Sequence, residues 1–323
     1  MTVLKGYVGT YASAENPGTY SFCLDTETGM LSDPVLLYRQ TNTKYSAWHR
    51  GLLATVTEND RGCGTALLDV SGREAKLLDT HICEKTTACF MTWHEGLLYT
   101  AGYHDGHVLI YSPEGGRLKL VRQLFIAEES GCHQVMFHGR WMLVPCLKLD
   151  KVCIFDTENG FAPAGTLEFA PGTGPRHGVF TADHKRFFFV SETSNQLFTY
   201  RVSGLDFQLE GVVPVLPAGH TGKADTAAIR LSEDEKTLYV SVRGAHLVSV
   251  FRLGQGLPQP ISHTDSHGLD PWDILLVPRA PLILISNRKS STLVCCALEA
   301  DGTIGPVRGQ LEIPQCVGLS MEI

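Results

Sequence analysis

The sequence predicts an all-β fold, a seven-bladed β-propeller with four-stranded antiparallel blades. Short apolar segments recur about every 45 residues along the 323-residue chain, and a repeat of this length is typical of a propeller blade. Seven such blades would occupy about 315 residues, which is close to the length of the chain. No segment carries the long apolar pattern of period 3.6 that indicates a helix.

Each repeat contains a short apolar strand that ends in a small polar or charged residue, followed by a second apolar run. The clearest copies are 142–148 with 152–155, 188–193 with 197–200, and 238–243 with 247–251. Three further copies are 52–56 with 66–68, 97–101 with 108–111, and 282–286 with 293–296. Runs rich in β-branched and aromatic residues between Gly, Pro, Asn and Asp are typical of strands.

The seventh copy is divided between the two ends of the chain. Residues 316–320 resemble an opening strand without a continuation, and residues 6–10 with 18–22 resemble a continuation without an opening strand. A blade built from both termini would close the ring and hide the sheet edges. We therefore expect a single propeller domain over residues 1–323.

Composition limits the classes of partner. The net charge of −7 leaves no basic surface for nucleic acid or an anionic membrane. No run approaches the roughly 20 apolar residues that cross a bilayer. The ten cysteines are scattered without a C-x-x-C spacing, which fits a reducing compartment. We expect a cytoplasmic protein, a monomer or weak homo-oligomer, whose anion site is made by a few local cations.

The repeat predicts a ring of polar residues around the central channel. The ends of the second strands carry Glu58, Tyr103, Lys148, Glu192, Arg243 and Arg288. The starts of the inner strands carry His133, Arg176, His177, Asp225 and Asp273. Charged groups that converge on one pocket are costly to desolvate unless they pair with each other or with a ligand. Folding alone does not require this ring, so it is the candidate functional site.

Several short motifs carry a resemblance to a known family. Gly131-Cys132-His133, residues 174–177 (Gly-Pro-Arg-His), the Ser191-Glu192 strand end and residues 239–244 resemble the seven-bladed lactonase family. That family includes the bacterial propeller-type 6-phosphogluconolactonases and the fungal 3-carboxymuconate lactonising enzymes. The resemblance covers essentially the whole chain. Gly-Cys-His followed by Val144-Pro145 and Lys148 is closer to the phosphogluconolactonase branch.

The resemblance implies roles for six residues. The catalytic type is implied for His133, Arg176, Glu192 and Arg243, and substrate binding for Lys148 and His177. Two positions depart from the family pattern. Trp272 stands in the sixth inner strand where the family often has Arg, and Ala228 stands where an acidic residue is common after the Ala pair of the fifth blade.

Lactone hydrolysis needs an activated water and a stabilised oxyanion, and these residue types suit both tasks. His133 or Glu192 could take the proton from water. Arg176 and Arg243 could hold the oxyanion or a substrate phosphate, because the planar guanidinium binds such groups with two hydrogen bonds. Lys148 would add a point charge. We expect His133→Ala to lower kcat at least about 100-fold if His133 is the base.

Metal and cofactor motifs are weak. The pair His104 and His107 encloses Asp105-Gly106, and Asp-Gly is a strong turn signal between two strands. The sequence gives no evidence for a metal or an organic cofactor, and no Gly-x-Ser-x-Gly nucleophile motif is present.

Three functions therefore remain. The first is cofactor-free hydrolysis of a small anionic lactone, 6-phosphogluconolactone, to 6-phosphogluconate in the pentose phosphate route. The second is an isomerase that closes a carboxylated muconate into a lactone. The third is a non-enzymatic propeller that binds proteins through its rim, which fold alone does not exclude. The converging charged residues make the third the weakest, and we favour the first.

Overall fold

The computed structural model describes residues 2–11 and 17–322 of the chain. In this part, 28 strands form seven four-stranded antiparallel sheets, which are the blades of a propeller. The all-β prediction and the blade count are therefore confirmed. None of the described helical segments is long and apolar enough to span a lipid bilayer.

The strands follow one another along the chain with few other elements between them. In chain order they are β1 (Val3–Thr10), β2 (Thr19–Asp25), β3 (Val35–Tyr38), β4 (Ser46–His49), β5 (Leu52–Asn59), β6 (Gly62–Asp69), β7 (Lys76–Glu84), β8 (Phe90–His94), β9 (Leu97–Gly102), β10 (His107–Glu114), β11 (Arg117–Phe125), β12 (Met136–His138), β13 (Trp141–Cys146), β14 (Lys151–Asp156), β15 (Ala162–Glu168), β16 (Pro175–Phe180), β17 (Arg186–Ser191), β18 (Gln196–Ser203), β19 (Asp206–Pro214), β20 (Asp225–Leu231), β21 (Thr237–Arg243), β22 (Leu247–Arg252), β23 (Gln259–Asp265), β24 (Pro271–Leu276), β25 (Leu282–Asn287), β26 (Thr292–Leu298), β27 (Ile304–Glu312) and β28 (Cys316–Met321). Two single-turn 3₁₀ helices, Leu147–Leu149 and Thr157–Asn159, flank β14.

Blades 1 to 6 each use four consecutive strands, from β4–β7 to β24–β27, and blade 7 uses both ends of the chain. In blade 7 the C-terminal β28 pairs antiparallel with β1, so that Tyr7 lies opposite Ser320 and Val8 opposite Leu319. The Tyr7 hydroxyl also donates a hydrogen bond to the Glu322 carboxylate. The shared closing blade is therefore confirmed, and it ties the two termini together by strand pairing.

The hydrophobic core lies between the blades. Among the described residues, the buried apolar side chains form seven clusters, and each cluster fills one interface between neighbouring blades. Between blades 3 and 4, for example, Met136 and Leu143 pack with Phe187 and Phe189. Because the second strand of each blade is covered on both faces, these strands carry nearly continuous apolar runs, as in residues 187–190 and 282–285. The polar residues at their ends are left for the central channel.

Candidate functional site

The ring of polar residues surrounds a cavity at one end of the central channel. The cavity has a volume of about 180 Å³, or about 650 Å³ when the mouth open to solvent is included. It is lined by Tyr11, Lys44, Tyr45, Cys89, Tyr103, His104, His133, Glu192, Arg243 and Trp272. A small organic molecule with its outer part in the mouth would fit this space.

Two β-bulges aim side chains into this end of the channel. The pairing of β16 with β17 shifts between Pro175 and His177, so Arg176 is the extra residue of that strand. Because a bulge breaks the alternation of faces, Arg176 and His177 both point inward, and they are only 1% and 2% exposed. The pairing of β24 with β25 shifts in the same way around Trp272. Trp272 lines the cavity itself, whereas Arg176 lies behind its wall and contacts Glu192.

His133 is fixed by a tight turn just before the inner strand of blade 3. Its backbone N–H donates to the Pro145 carbonyl, with an N···O distance of 3.0 Å. Gly131 has a φ of +73°, and a Cβ there would lie 2.9 Å from the Lys148 backbone nitrogen. Only glycine fits this combination without strain, since a left-handed φ and a backbone clash both penalise any side chain.

Glu192 is the centre of the site. Its backbone N–H donates to the Gly174 carbonyl, with an N···O distance of 2.7 Å, which fixes the residue just after β17. Its Oε2 accepts a hydrogen bond from Arg176 Nε at 2.8 Å and lies 2.9 Å from Arg243 Nη2 and 4.0 Å from His133 Nε2. One carboxylate therefore neutralises only one of two guanidinium groups.

The two histidines and Arg176 form a chain of contacts behind the cavity wall. Arg176 Nη1 lies 3.3 Å from His177 Nδ1, and His177 Nε2 lies 3.2 Å from His133 Nδ1. Burial, and next the charge of Arg176, lower the pKa of both histidines well below 6.5. Both imidazoles are therefore neutral near pH 7.

Arg243 keeps unused donors at the cavity. Although its Nη2 is close to Glu192, neither Nη2 nor Nε makes a well-aligned hydrogen bond to any described residue, and both are buried. The guanidinium stacks on the Trp272 ring at 4.5 Å, and the Arg288 guanidinium lies 5.0 Å from the same ring and 4.4 Å from the Tyr11 ring. The buried Nε of Arg243, which has no partner among the described residues, marks a place where an anion or oxyanion can bind.

Lys44 is a third cation of the site, in the loop before β4. Its ammonium group donates to the Thr87 carbonyl at 3.3 Å and lies 5.4 Å from the Tyr11 ring. No carboxylate among the described residues pairs with it. Burial lowers the pKa of Lys44, because the charged form has lost most of its water.

Lys148 has a different position from the one expected. It lies in the 3₁₀ turn after β13, outside the cavity lining, and its side chain is 38% exposed. Its ammonium pairs with Glu129, which also accepts from the His104 imidazole at 2.9 Å. Its charge is therefore neutralised at the rim, where it also covers the Tyr103 ring.

The cavity contains hydroxyl and thiol groups that are poor nucleophiles. Burial raises the pKa of Cys89 to about 12 and that of Tyr103 to about 12. The Cys89 thiol donates to the Cys132 carbonyl at 3.1 Å. A protonated, hydrogen-bonded thiol does not attack an ester, because the thiolate is the nucleophile. The arrangement instead suits attack by water.

Residues 103–106 form the turn between β9 and β10, and the possible ligand pair of the sequence consists of His104 in this turn and His107 at the start of β10. His104 pairs with Glu129, and His107 lies 3.2 Å from the buried Glu84 carboxylate. Within residues 2–11 and 17–322, no group of three or more His, Cys, Asp or Glu side chains is placed to hold a metal ion.

The structure brings five of the six expected site residues into one cluster, His133, Arg176, His177, Glu192 and Arg243. Sequence reasoning missed Lys44. The signal was present, because Lys44 stands just before the inner strand of blade 1, where His133 stands in blade 3. Asp273 was expected at the ring, but its carboxylate is paired with Arg230, whose Nη2 donates to it at 2.6 Å.

These features define a propeller enzyme whose channel carries acid–base and cationic groups suited to ester chemistry. The chain belongs to the family of lactonases with a 7-bladed β-propeller, whose model matches residues 5–321. It is therefore a lactonase, a carboxylic ester hydrolase.

Known proteins similar to the chain agree with this family. The 6-phosphogluconolactonase of Bacillus subtilis (strain 168) is 26% identical over 343 residues, covering 98% of each chain. A protein of known structure from Lactobacillus plantarum superimposes with a TM-score of 0.93 at 25% identity over all of both chains. The periplasmic gluconolactonase of Pseudomonas aeruginosa superimposes with a TM-score of 0.90 at 21% identity, covering 100% of this chain and 99% of that one.

Proposed function

We propose that this lactonase hydrolyses a phosphorylated sugar lactone, 6-phosphogluconolactone, to 6-phosphogluconate. The observation that carries the proposal is the charge of the site. Lys44, Arg176 and Arg243 meet a single described carboxylate, Glu192, which leaves an excess of two positive charges. Phosphate monoesters carry about −1.5 to −2 charges near pH 7, so such a group would balance the excess.

The cost of burying these cations supports the same substrate class. Lys44 has given up water without gaining a carboxylate partner among the described residues. Arg243 shares the Glu192 carboxylate with Arg176, and its buried Nε has no hydrogen-bond partner in the described part of the chain. Buried charges of this kind are destabilising until a partner arrives. An anionic ligand would convert this cost into binding energy, whereas an uncharged lactone would not. The Bacillus subtilis 6-phosphogluconolactonase among the relatives is consistent with a phosphorylated substrate.

Hydrolysis at this site requires side chains that bind the substrate, position Glu192 and exchange protons. Arg243 and Lys44 hold the anionic group of the lactone, and the unused Arg243 donors can reach a phosphate or an oxyanion. Arg176 holds Glu192 in place through its Nε. His133 and Glu192 both line the cavity, so one can donate a hydrogen bond to the lactone carbonyl while the other exchanges protons with water and with the ring oxygen.

Freshly generated 6-phosphogluconolactone and gluconolactone, each with enzyme pretreated with EDTA, provide the test. We expect EDTA-insensitive hydrolysis with a higher kcat/KM for the phosphorylated lactone, and a fall of at least about 100-fold for Arg176→Met. Lys185→Met, an exposed lysine paired with Asp183 away from the cavity, is the control. Equal kcat/KM values for the two lactones would contradict the phosphate assignment. Turnover of a carboxylated muconate instead would support the cyclase activity.

We further propose that the protein acts in the cytoplasm as a monomer or weak homo-oligomer. All ten cysteines lie in the described part of the chain and are free thiols, which suits a reducing compartment. Cell fractionation and light scattering of the purified protein would test these two points.

A further inference from the structure

The order of donors and acceptors behind the cavity fixes where the histidine protons lie. A guanidinium group carries only N–H donors, so Arg176 Nη1 must donate to His177 Nδ1. A neutral imidazole has one N–H, and with Nδ1 accepting, that hydrogen of His177 is on Nε2. His177 Nε2 therefore donates to His133 Nδ1 at 3.2 Å.

The same reasoning fixes the tautomer of His133. Its Nδ1 accepts from His177, so its hydrogen is on Nε2, the nitrogen that faces Glu192 and the cavity. The 4.0 Å separation from Glu192 Oε2 is too long for a hydrogen bond. His133 consequently presents to the cavity an N–H that has no acceptor among the described residues, and it has no free lone pair with which to accept a proton.

We propose that His177 is a positioning residue that locks His133 as a hydrogen-bond donor to the lactone carbonyl oxygen, and that Glu192 is the base. This inference rests on the proposed lactone hydrolysis. A neutral imidazole that donates to a developing oxyanion is an established catalytic device. Glu192 is available as the base because its contacts involve Oε2, and its Oε1 accepts no hydrogen bond from the described residues.

The reaction balances with these roles. The oxygen of a water molecule bonds to the carbonyl carbon while one of its protons passes to Glu192, and the carbonyl oxygen becomes an oxyanion that accepts from His133 Nε2–H. The oxyanion then re-forms the C=O bond, the bond from that carbon to the ring oxygen breaks, and the proton on Glu192 passes to the departing ring oxygen. The product acid loses its proton to solvent, and both side chains return to their starting states.

Two substitutions of His133 separate a donor from a base. Glutamine can place an N–H near the position of Nε2 but cannot act as a base, and leucine can do neither. We expect His133→Gln to retain kcat within about 10-fold and His133→Leu to lose about 10²–10³-fold. His138→Gln is the matched control, because His138 contacts His184 at 3.2 Å in a second histidine pair outside the cavity. Equal losses for His133→Gln and His133→Leu, with both variants folded, would overturn the proposal.

The tautomer can be read directly from the imidazole ¹⁵N resonances of the substrate-free enzyme. We expect His133 to show only the Nε2–H form between pH 6 and 8 and to populate both forms in His177→Leu. A hydrogen on His133 Nδ1 in the wild type would overturn the assignment. Because this measurement uses no substrate, and the kinetic ratio can use either lactone, the outcome is independent of the phosphate preference.

Discussion

Replacing Lys44 by methionine isolates the charge that the cavity leaves unbalanced. Methionine keeps an unbranched apolar side chain of similar length and removes only the ammonium group. In the free enzyme that group makes one long hydrogen bond, 3.3 Å to the Thr87 carbonyl, and a cation–π contact with Tyr11. The fold therefore loses little, and burial had already opposed the charged form.

The magnitude follows from the contact that a phosphate would gain. A hydrogen bond to a charged group contributes about 1.5–3 kcal/mol. At 1.36 kcal/mol for each factor of ten, Lys44→Met should lower kcat/KM for 6-phosphogluconolactone by about 10- to 150-fold. With gluconolactone, which lacks the phosphate, the same substitution should change kcat/KM by less than about 3-fold, because no charged contact is lost.

The assay compares initial rates of both lactones for wild type and Lys44→Met, corrected for spontaneous hydrolysis. Lys236→Met is the control, since that side chain is 75% exposed and pairs with Asp234 away from the cavity. Urea unfolding of each variant checks that stability is unchanged. The reasoning fails if Lys44→Met lowers both substrates equally, or if the phosphorylated lactone is turned over as fast as by the wild type.

Three further predictions concern the two buried histidines, the closure of the ring and the mouth of the cavity. Because His133 and His177 stay neutral in the folded state far below pH 6.5, the unfolded chain binds more protons, and stability falls with decreasing pH by about 1.4 kcal/mol per pH unit for each histidine. We expect urea unfolding between pH 4.5 and 6.5 to show a smaller dependence of the unfolding free energy on pH for His177→Gln, because one protonating histidine has been removed. Identical slopes for wild type and variant would contradict a neutral His177 in the folded state. Removing residues 315–323 deletes β28, whose four buried side chains together contribute about 6–12 kcal/mol of burial free energy to folding. We therefore expect the cooperative thermal unfolding transition in circular dichroism to disappear. A retained transition would contradict ring closure as the source of stability. Trp272→Ala removes the stacking on Arg243 and should lower kcat/KM by about 2- to 30-fold, and an unchanged value would show that Arg243 is held by other contacts.

Much of the fold was determined by the sequence alone. The recurring apolar runs predict the blades, and the divided copy at residues 6–10 with 18–22 and at residues 316–320 predicts the closing blade. These features are visible locally because every strand must alternate its faces and every blade must cover its neighbours. Comparison of equivalent positions in the repeats also indicated that His133, Arg176, Glu192 and Arg243 lie in one ring, because equivalent positions in the blades face the same channel.

Tertiary structure alone decided which cations the cavity keeps. Lys148 and Lys44 both occupy repeat positions near the channel. In the folded protein, Lys148 is neutralised by Glu129, whereas Lys44 has no carboxylate partner among the described residues. The histidine tautomers depend on the contacts that link Arg176 to His177 and His177 to His133. These contacts require a one-residue bulge in β16 and the approach of two blades whose histidines are 44 residues apart in the chain. Periodicity places a residue on a face, but the partner that satisfies its charge comes from distant parts of the chain, and only the folded ring brings those parts together.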